Sequence, residues 1–351
     1  MANSDQNQKV AAGGLAIQSG GNVTIESGLS YSEVRDIALD TFHANFYKLA
    51  NKAGEIASAR AEEITDQFLE KLQKDNPAGI GESQDPDFQY ALLTVQKEYA
   101  RSGNKELGDL LVELLVDRSK QEKREIIQIV LNEALNTAPK LTESQLAALA
   151  LVFLFRNTMN HASTNHANFG LYLDDHVLPF IPKIVRSDAC YQHIAFTGCA
   201  SINGLMDNSL SNQIAVTYQG LFCKGFDNSD IPSGLSAIAK KMFFIQCLND
   251  PTKIQVNALN GVSLTAELST QSIPHEVAAQ IKTLFDKNKM SGPEIRTKCE
   301  SVRPYLKDLF EVWTASIIGK MTLTSVGIAI GHANVQRVLG RKFAELSQWI
   351  N

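Results

Sequence analysis

Histidine and aspartate side chains are concentrated between residues 161 and 176, and both are metal-ligating types. The group consists of His161, His166, Asp174, Asp175 and His176. Imidazole and carboxylate groups at such density are typical of metal sites. However, His161 and His166 are five residues apart, which places them on different faces of a helix. We therefore interpret the group as polar loop residues and predict no metal ligands. Whether the group forms a site stays open at this point.

A second group could support thiol chemistry. Cys190 and His193 are three residues apart, so they could meet on one helix face as a thiolate–imidazole pair, with Cys199 nearby. No carboxylate at an obvious spacing would orient the imidazole, and we favour helix packing. The five cysteines are an odd number without a C-x-x-C pair, which argues against a disulfide framework and a cysteine zinc site. We expect reduced, mostly buried thiols.

Glycine motifs do not indicate nucleotide chemistry. The chain contains no G-x-x-x-x-G-K-[ST] phosphate loop. Its Gly13-Gly14 and Gly20-Gly21 pairs do not lie between a strand and a helix of a βαβ unit. We therefore predict no catalytic residues, no cofactor-binding residues and no cofactor, and we favour a non-enzymatic role.

Positive charge is concentrated near the C-terminus of an acidic chain. The net charge is −5, whereas residues 282–342 carry eleven Lys or Arg against five Asp or Glu. Such a surface can contact phosphates, and we name Arg296, Lys298 and Arg303 as candidate nucleic-acid contacts. A solvated face or a dock for an acidic partner explains the same residues equally well.

The elements that must position these residues begin with a β-prone leader, residues 1–29. Two short runs at 15–18 and 22–25 flank Ser19-Gly20-Gly21, where glycine can turn the chain into a hairpin. A lone two-stranded hairpin is only marginally stable, so it needs an edge to pair with. Three alternatives stay open for the leader: it pairs with another chain, it packs on its own chain, or it is a disordered terminus. The predicted interaction residues are Ile17, Gln18, Gly20, Asn22, Val23 and Ile25.

The body that follows has helical periodicity. Ser30 with Glu33, and Thr142 with Gln145, predict capping boxes that begin amphipathic and apolar helices respectively. Alternation between residues 253 and 268 is more typical of strands, and a short hairpin is one interpretation of it. The predicted fold is mainly α, a multi-helix bundle with an N-terminal β-hairpin and a C-terminal winged-helix-like region. Its predicted parts are a leader (1–29), a helical domain (30–157), a mostly helical middle region (158–273) and a winged-helix-like domain (274–351).

Two local resemblances accompany this pattern. Residues 17–23, Ile-Gln-Ser-Gly-Gly-Asn-Val, resemble the core of amyloid-signalling motifs such as the receptor-interacting homotypic motif, although Ser19 replaces an apolar residue. That resemblance implies β-pairing between chains. Residues 320–331, with Leu323-Thr324 and Gly327, resemble the wing strand of winged-helix proteins, which bind DNA or protein.

A third resemblance covers the junction of leader and body. Gly21-Asn22-Val23-Thr24-Ile25, followed by residues 28–38, resembles the start of a group of uncharacterised bacterial proteins. Short leaders of the Gly-Asn-Val-Thr-Ile type also recur in bacterial conflict and phage-defence proteins. This resemblance implies a biological context, anti-phage defence, and no catalytic residues.

The preferred function is that of a non-enzymatic, oligomeric interaction or scaffold protein. We expect a homo-oligomer, and a protein partner that pairs with the N-terminal strands. The alternative is a nucleic-acid-binding regulator that uses the basic C-terminal region. No apolar run approaches the roughly 18 residues of a membrane span. The first residues lack the features of a signal peptide, which predicts a cytoplasmic protein.

Overall fold

The computed structural model describes residues 30–45, 51–121, 123–204 and 209–350, and this part of the chain is mainly α-helical. The predicted hairpin and its interaction residues lie outside the described residues. The α-helices are α1 (Tyr31–Asn45), α2 (Asn51–Asp75), α3 (Pro86–Ser102), α4 (Lys105–Arg118), α5 (Ile126–Thr137), α6 (Glu143–Asn157), α7 (His166–Tyr172), α8 (Asp188–Phe196), α9 (Leu210–Thr217), α10 (Ala237–Phe243), α11 (Gly261–Thr270), α12 (His275–Asp286), α13 (Gly292–Val302), α14 (Leu306–Ala315) and α15 (Ser325–Leu339). The strands are β1 (Ala200–Ile202), β2 (Phe244–Gln246), β3 (Ile254–Val256) and β4 (Met321–Leu323).

Shorter helical turns connect these elements. A π-helical turn at Leu173–Val177 continues α7. The 3-10 turns are Pro77–Gln84, Ala138–Lys140, Leu178–Lys183, Gln219–Phe222, Asn228–Asp230, Ile317–Lys320 and Leu346–Gln348. Within the described residues, none of the helices is both long and apolar enough to cross a membrane.

Both predicted capping boxes are confirmed. The Glu33 amide donates to Ser30 Oγ at 3.4 Å, and the Ser30 amide donates to Glu33 Oε2 at 2.8 Å. At α6, the Gln145 amide donates to Thr142 Oγ1 at 3.4 Å and the Thr142 amide donates to Gln145 Oε1 at 2.9 Å. These side chains satisfy amides that the first helical turn leaves without partners, so the two helices begin where the sequence indicates.

The main core joins the first helices of the body to the last one. Every residue of α6 from Leu146 to Phe155 is buried, and α15 packs along it with Gly331 at the contact. A Cβ on Gly331 would lie 3.0 Å from the carbonyl oxygen of Leu149, so glycine permits the close approach of the two helices. A second, smaller apolar cluster lies between Phe226 and Phe285.

The four strands form two short antiparallel pairs. β1 pairs with β4, with Ala200 opposite Leu323, and β2 pairs with β3, with Phe244 opposite Val256. The run that resembles a wing strand therefore supplies β4, whose partner comes from residues 200–202. The alternation at 253–268 corresponds to strand β3 and then to helix α11. Asn260 caps α11 by accepting from the Ser263 amide at 2.9 Å, which ends the extended segment.

Candidate functional site

The His/Asp group predicted at residues 161–176 is divided among separate contacts. Asp174 accepts from Arg303 Nε at 2.7 Å and from Tyr305 Oη at 2.8 Å. His166 Nε2 lies 2.9 Å from Asn249 Oδ1, whereas Asp175 pairs with Arg341. In the ranges that the structure describes, no three His, Cys, Asp or Glu side chains are placed to hold a metal ion.

The Cys/His group is likewise engaged in packing. Gln145 Nε2 lies 3.0 Å from His193 Nδ1 and donates to the Cys190 carbonyl at 2.7 Å. Burial raises the pKa of the Cys190 thiol, which disfavours the thiolate needed for nucleophilic chemistry. Cys190 is half-buried and the other four cysteines are buried; all five are free thiols.

The candidate nucleic-acid contacts include two arginines that already have carboxylate partners. Arg296 Nε donates to Glu300 at 2.7 Å, and its guanidinium lies 5.5 Å from the centre of the Phe310 ring. Arg303 donates to both carboxylate oxygens of Asp174, at 2.7 and 2.6 Å. Lys298 is half-buried. A phosphate at either arginine would have to compete with an existing charge-assisted hydrogen bond.

An open groove lies between the 3-10 turn Pro77–Gln84, the start of α3 and one face of α5. Its volume is about 640 Å³. We call it the acidic groove, and its lining consists of Glu82, Asp85, Asp87, Arg124, Gln128, Ile129, Asn132, Glu133 and Asn136. Four carboxylates thus face one cation across an open surface.

Local sequence explains how the acidic side chains reach the groove. Asp85 caps α3, where its side chain accepts from the Phe88 amide at 3.2 Å, and Pro86 occupies the first helical position. The helix start therefore places Asp85 and Asp87 on adjacent positions of the groove wall. Negative side chains are favourable there because the helix N-terminus carries partial positive charge.

Arg118, at the end of α4, forms the base beneath these carboxylates. It is fully buried, and its Nη2 donates to Asp87 at 2.8 Å and lies 3.4 Å from Asp85 Oδ2. Its Nε donates to Asn132 Oδ1 and its Nη1 to the Gln121 carbonyl, both at 3.1 Å. A buried guanidinium is tolerated when its charge is paired and its donors are used. Arg118 therefore joins α3, α4 and α5 into a fixed base.

Asp87 keeps its negative charge at neutral pH. Hydrogen bonds from Arg118 and then Asn132 hold the pKa of Asp87 below its usual range. Asn132 Nδ2 donates to Asp87 Oδ2 at 2.9 Å, which links the two walls directly. Since Arg118 balances part of the charge of Asp85 and Asp87, Glu82 and Glu133 are the carboxylates most available to a ligand.

Apolar side chains lie beside the acidic ones. Ile126 and Ile129 are one turn apart on α5 and are 49% and 46% exposed. Tyr90, one turn after Asp87 on α3, is 64% exposed. Isolated exposed apolar residues are common, and of these three side chains Ile129 belongs to the groove lining.

Sequence reasoning did not identify the acidic groove. The only local signal is the Asp85-Pro86 pair, which indicates a helix start and does not indicate a groove. Arg118 and Asp87 are 31 residues apart, and Asp87 and Asn132 are 45 apart. Nothing in the spacing of these residues indicates that they meet.

Comparison with known proteins gives a family but no function. The model of an uncharacterised protein family matches residues 28–350. Neither the search of curated proteins nor the search of solved structures returns a match.

Proposed function

The chain belongs to the uncharacterised family whose model it matches, and on this premise we propose that it is a non-enzymatic interaction protein that binds a basic segment of a partner protein in the acidic groove. The observation that supports this function most is the groove itself. It combines about 640 Å³ of open volume with four carboxylates and an exposed isoleucine on a rigid helical base.

The chemistry of the groove favours an amphipathic helix with Lys or Arg on one face. Glu82 and Glu133 would pair with the basic side chains, while Ile129 would contact apolar residues one helical turn away. Electrostatic attraction of this kind mainly increases the rate of association and the selectivity for basic partners.

The leader provides a second interaction element in this proposal. Ile17, Gln18, Gly20, Asn22, Val23 and Ile25 would pair with a strand edge of another copy and assemble the protein into an oligomer. The winged-helix-like role of residues 274–351 and a cytoplasmic anti-phage context belong to the same proposal and rest on the sequence resemblances. Nucleic-acid binding through Arg296, Lys298 and Arg303 has less support, because both arginines already pair with carboxylates.

Peptide binding tests the groove. The probe is a fluorescent synthetic helix with Leu and Lys at amphipathic spacing, titrated at low salt and followed by anisotropy. We expect Glu82→Lys combined with Glu133→Lys to weaken binding about tenfold or more, since two favourable charges become repulsive. Ile129→Ser should weaken binding without altering its salt dependence.

The matched control reverses two exposed glutamates elsewhere, Glu55→Lys with Glu276→Lys, and keeps the same net charge as the groove variant. Equal loss of binding in both double variants would mean that only overall charge matters. An equal loss of binding in the two double variants therefore rules out the groove as the docking site. The absence of binding by the unaltered protein also rules it out.

Light scattering tests the role of the leader. The full chain should have an oligomeric mass, and a variant lacking residues 1–28 should have a lower one. A monomeric mass for both proteins contradicts assembly through the leader. That result does not affect the peptide experiment, which tests the groove separately.

A further inference from the structure

A second cavity lies where the ends of α2, α4 and α15 meet the C-terminal segment. Its volume is about 260 Å³, and we call it the C-terminal cleft. The lining consists of Lys71, Lys74, Asp75, Glu113, Val116, Asp117, Lys120, Gln336, Gly340, Arg341 and Lys342. Five cations and three carboxylates from three distant parts of the sequence therefore surround one space, which gives the lining a positive excess.

Two of the lysines are held in place by carboxylates of the cleft. Lys71 Nζ lies 2.8 Å from Glu113 and 3.2 Å from Asp75, and Lys120 Nζ lies 2.7 Å from Asp117. Burial lowers the pKa of both lysines, but the neighbouring carboxylates outweigh it and the pKa of each is raised. Both ammonium groups therefore stay charged across the physiological range.

Burial disfavours the negative charge of Glu113, whereas Lys71 and Lys120 keep their positive charge. Burial raises the pKa of Glu113 against the opposing pull of Lys71. A nearby anion would raise the pKa of Glu113 further, because it disfavours a second negative charge beside it.

The C-termini of α2, α4 and α15 carry partial negative charge, and some of the cations of the cleft interact with these helix ends. Lys342 Nζ donates to the Asp75 carbonyl at 3.2 Å, which caps α2, and Arg341 pairs with Asp175 outside the cleft. Lys342 has three donors and this contact uses one of them. Lys74 is exposed and has no ion pair with any part of the chain that the structure describes. The helix ends thus leave donors on Lys74 and Lys342 for a ligand.

Beneath the cleft, a buried polar network fixes Asp117. Gln336 Nε2 donates to Asp117 Oδ2 at 3.4 Å, and its Oε1 accepts from the Phe343 amide at 3.0 Å. His332 is 1% exposed, and its Nδ1 lies 3.7 Å from Asp117 Oδ2 without a hydrogen-bond partner. The cleft therefore has a rigid base, which limits the ordering that a bound ligand would require.

We propose that the C-terminal cleft binds the di- or triphosphate group of a small ligand, with Lys74 and Lys342 as the main contacts and Lys71 and Lys120 contributing charge. The volume of about 260 Å³ suits a small polar group rather than a macromolecule. Ammonium groups bind phosphate oxygens through short, charge-assisted hydrogen bonds. This site is separate from the acidic groove and does not depend on the function proposed for it.

Isothermal titration with inorganic pyrophosphate and, separately, with ATP tests the proposal on the full chain at constant ionic strength. Both probes should bind with a dissociation constant in the millimolar range or lower. Equal affinities would show that the phosphate group alone is recognised, and tighter binding of ATP would identify a nucleotide as the source of that group. Both of these results support the proposal.

Lys74→Ala should weaken binding at least threefold, and Lys74→Ala with Lys342→Ala at least tenfold. Lys97→Ala removes an exposed lysine on α3, far from the cleft in sequence, and should leave the affinity unchanged. Lys342 also caps α2, so its replacement removes a structural contact. If the double variant unfolds, the affinity of the single variant Lys74→Ala decides the test. The absence of heat with either probe at concentrations up to about 10 mM, or equal weakening by Lys74→Ala and Lys97→Ala, overturns the proposal.

Discussion

Arg118 is fully buried, yet its guanidinium donates a 2.8 Å hydrogen bond to Asp87, whose side chain is 51% exposed. The two partners therefore differ in what each loses when the other is removed. Without Arg118, the Asp87 carboxylate can be hydrated and keeps its bond from Asn132. Without Asp87, the Arg118 charge stays in the interior with only Asp85 at 3.4 Å.

This asymmetry predicts unequal effects of two substitutions. Asp87→Ala should lower the free energy of unfolding by about 2–4 kcal/mol, because it leaves a buried charge poorly compensated. Arg118→Met should lower it by only about 1–2 kcal/mol, because an apolar chain of similar length fills the site. Urea unfolding at pH 7 measures both values. A larger loss for Arg118→Met than for Asp87→Ala would contradict the interpretation.

Acid should weaken the contact between the π-helical turn and the start of α14. Hydrogen bonds from Arg303 and Tyr305 hold the pKa of Asp174 below its ordinary value of 3.8. A depressed folded-state pKa contributes stability above the ordinary pKa, and that stability is lost as the pH falls through the lower value. Asp174→Asn should therefore lower stability at pH 7 and flatten the loss below about pH 4. Denaturant midpoints across this range test it, with exposed Asp40→Asn as the control that should change little.

Buried His332 should make the protein less stable in mild acid. Burial lowers its pKa from 6.5 and Lys120 lowers it further, while Asp117, the hydrogen bond to the Ala344 carbonyl and Glu345 raise it without reversing that direction. Since the unfolded state takes up a proton more readily, stability is complete above about pH 6.5 and decreases as the pH falls below it. His332→Gln should remove part of this decrease between pH 7 and 5, whereas exposed His161→Gln should not. An NMR titration that gave His332 a pKa above 6.5 would contradict the prediction.

Close backbone contact at Gly327 should make this position intolerant of a side chain. A Cβ there would lie 1.9 Å from the carbonyl oxygen of Cys199, so α15 or the segment before β1 would have to move. Gly327→Ala should lower the free energy of unfolding by about 3 kcal/mol, the upper end of the usual cost of overpacking. Gly261→Ala is the matched control, because a Cβ at this first-turn position of α11 meets nothing within 4 Å. Equal melting temperatures for the two variants would show that the contact is not tight.

Local sequence signals determined the helical character of the protein and several of its helix boundaries. Thr142 and Gln145, or Ser30 and Glu33, are three residues apart, so their hydrogen bonds form as soon as the helix does. The apolar run of α6 requires burial on all sides, which the sequence also indicates. At residues 253–268, in contrast, the alternation indicates strands, whereas only β3 is extended and the residues after the Asn260 cap form α11.

Tertiary structure alone decided where the candidate sites are. The acidic groove depends on Arg118 reaching Asp87 and Asn132, and the C-terminal cleft depends on Lys71, Lys120 and Lys342 converging from distant helix ends. A charged residue can serve equally well on any solvated surface, so its position along the chain does not reveal its partner. The packing of α3, α4 and α5 determines which charges meet in the acidic groove, and the packing of α15 against the first helices of the body determines which charges meet in the C-terminal cleft. The apolar core fixes both arrangements and the polar side chains follow it.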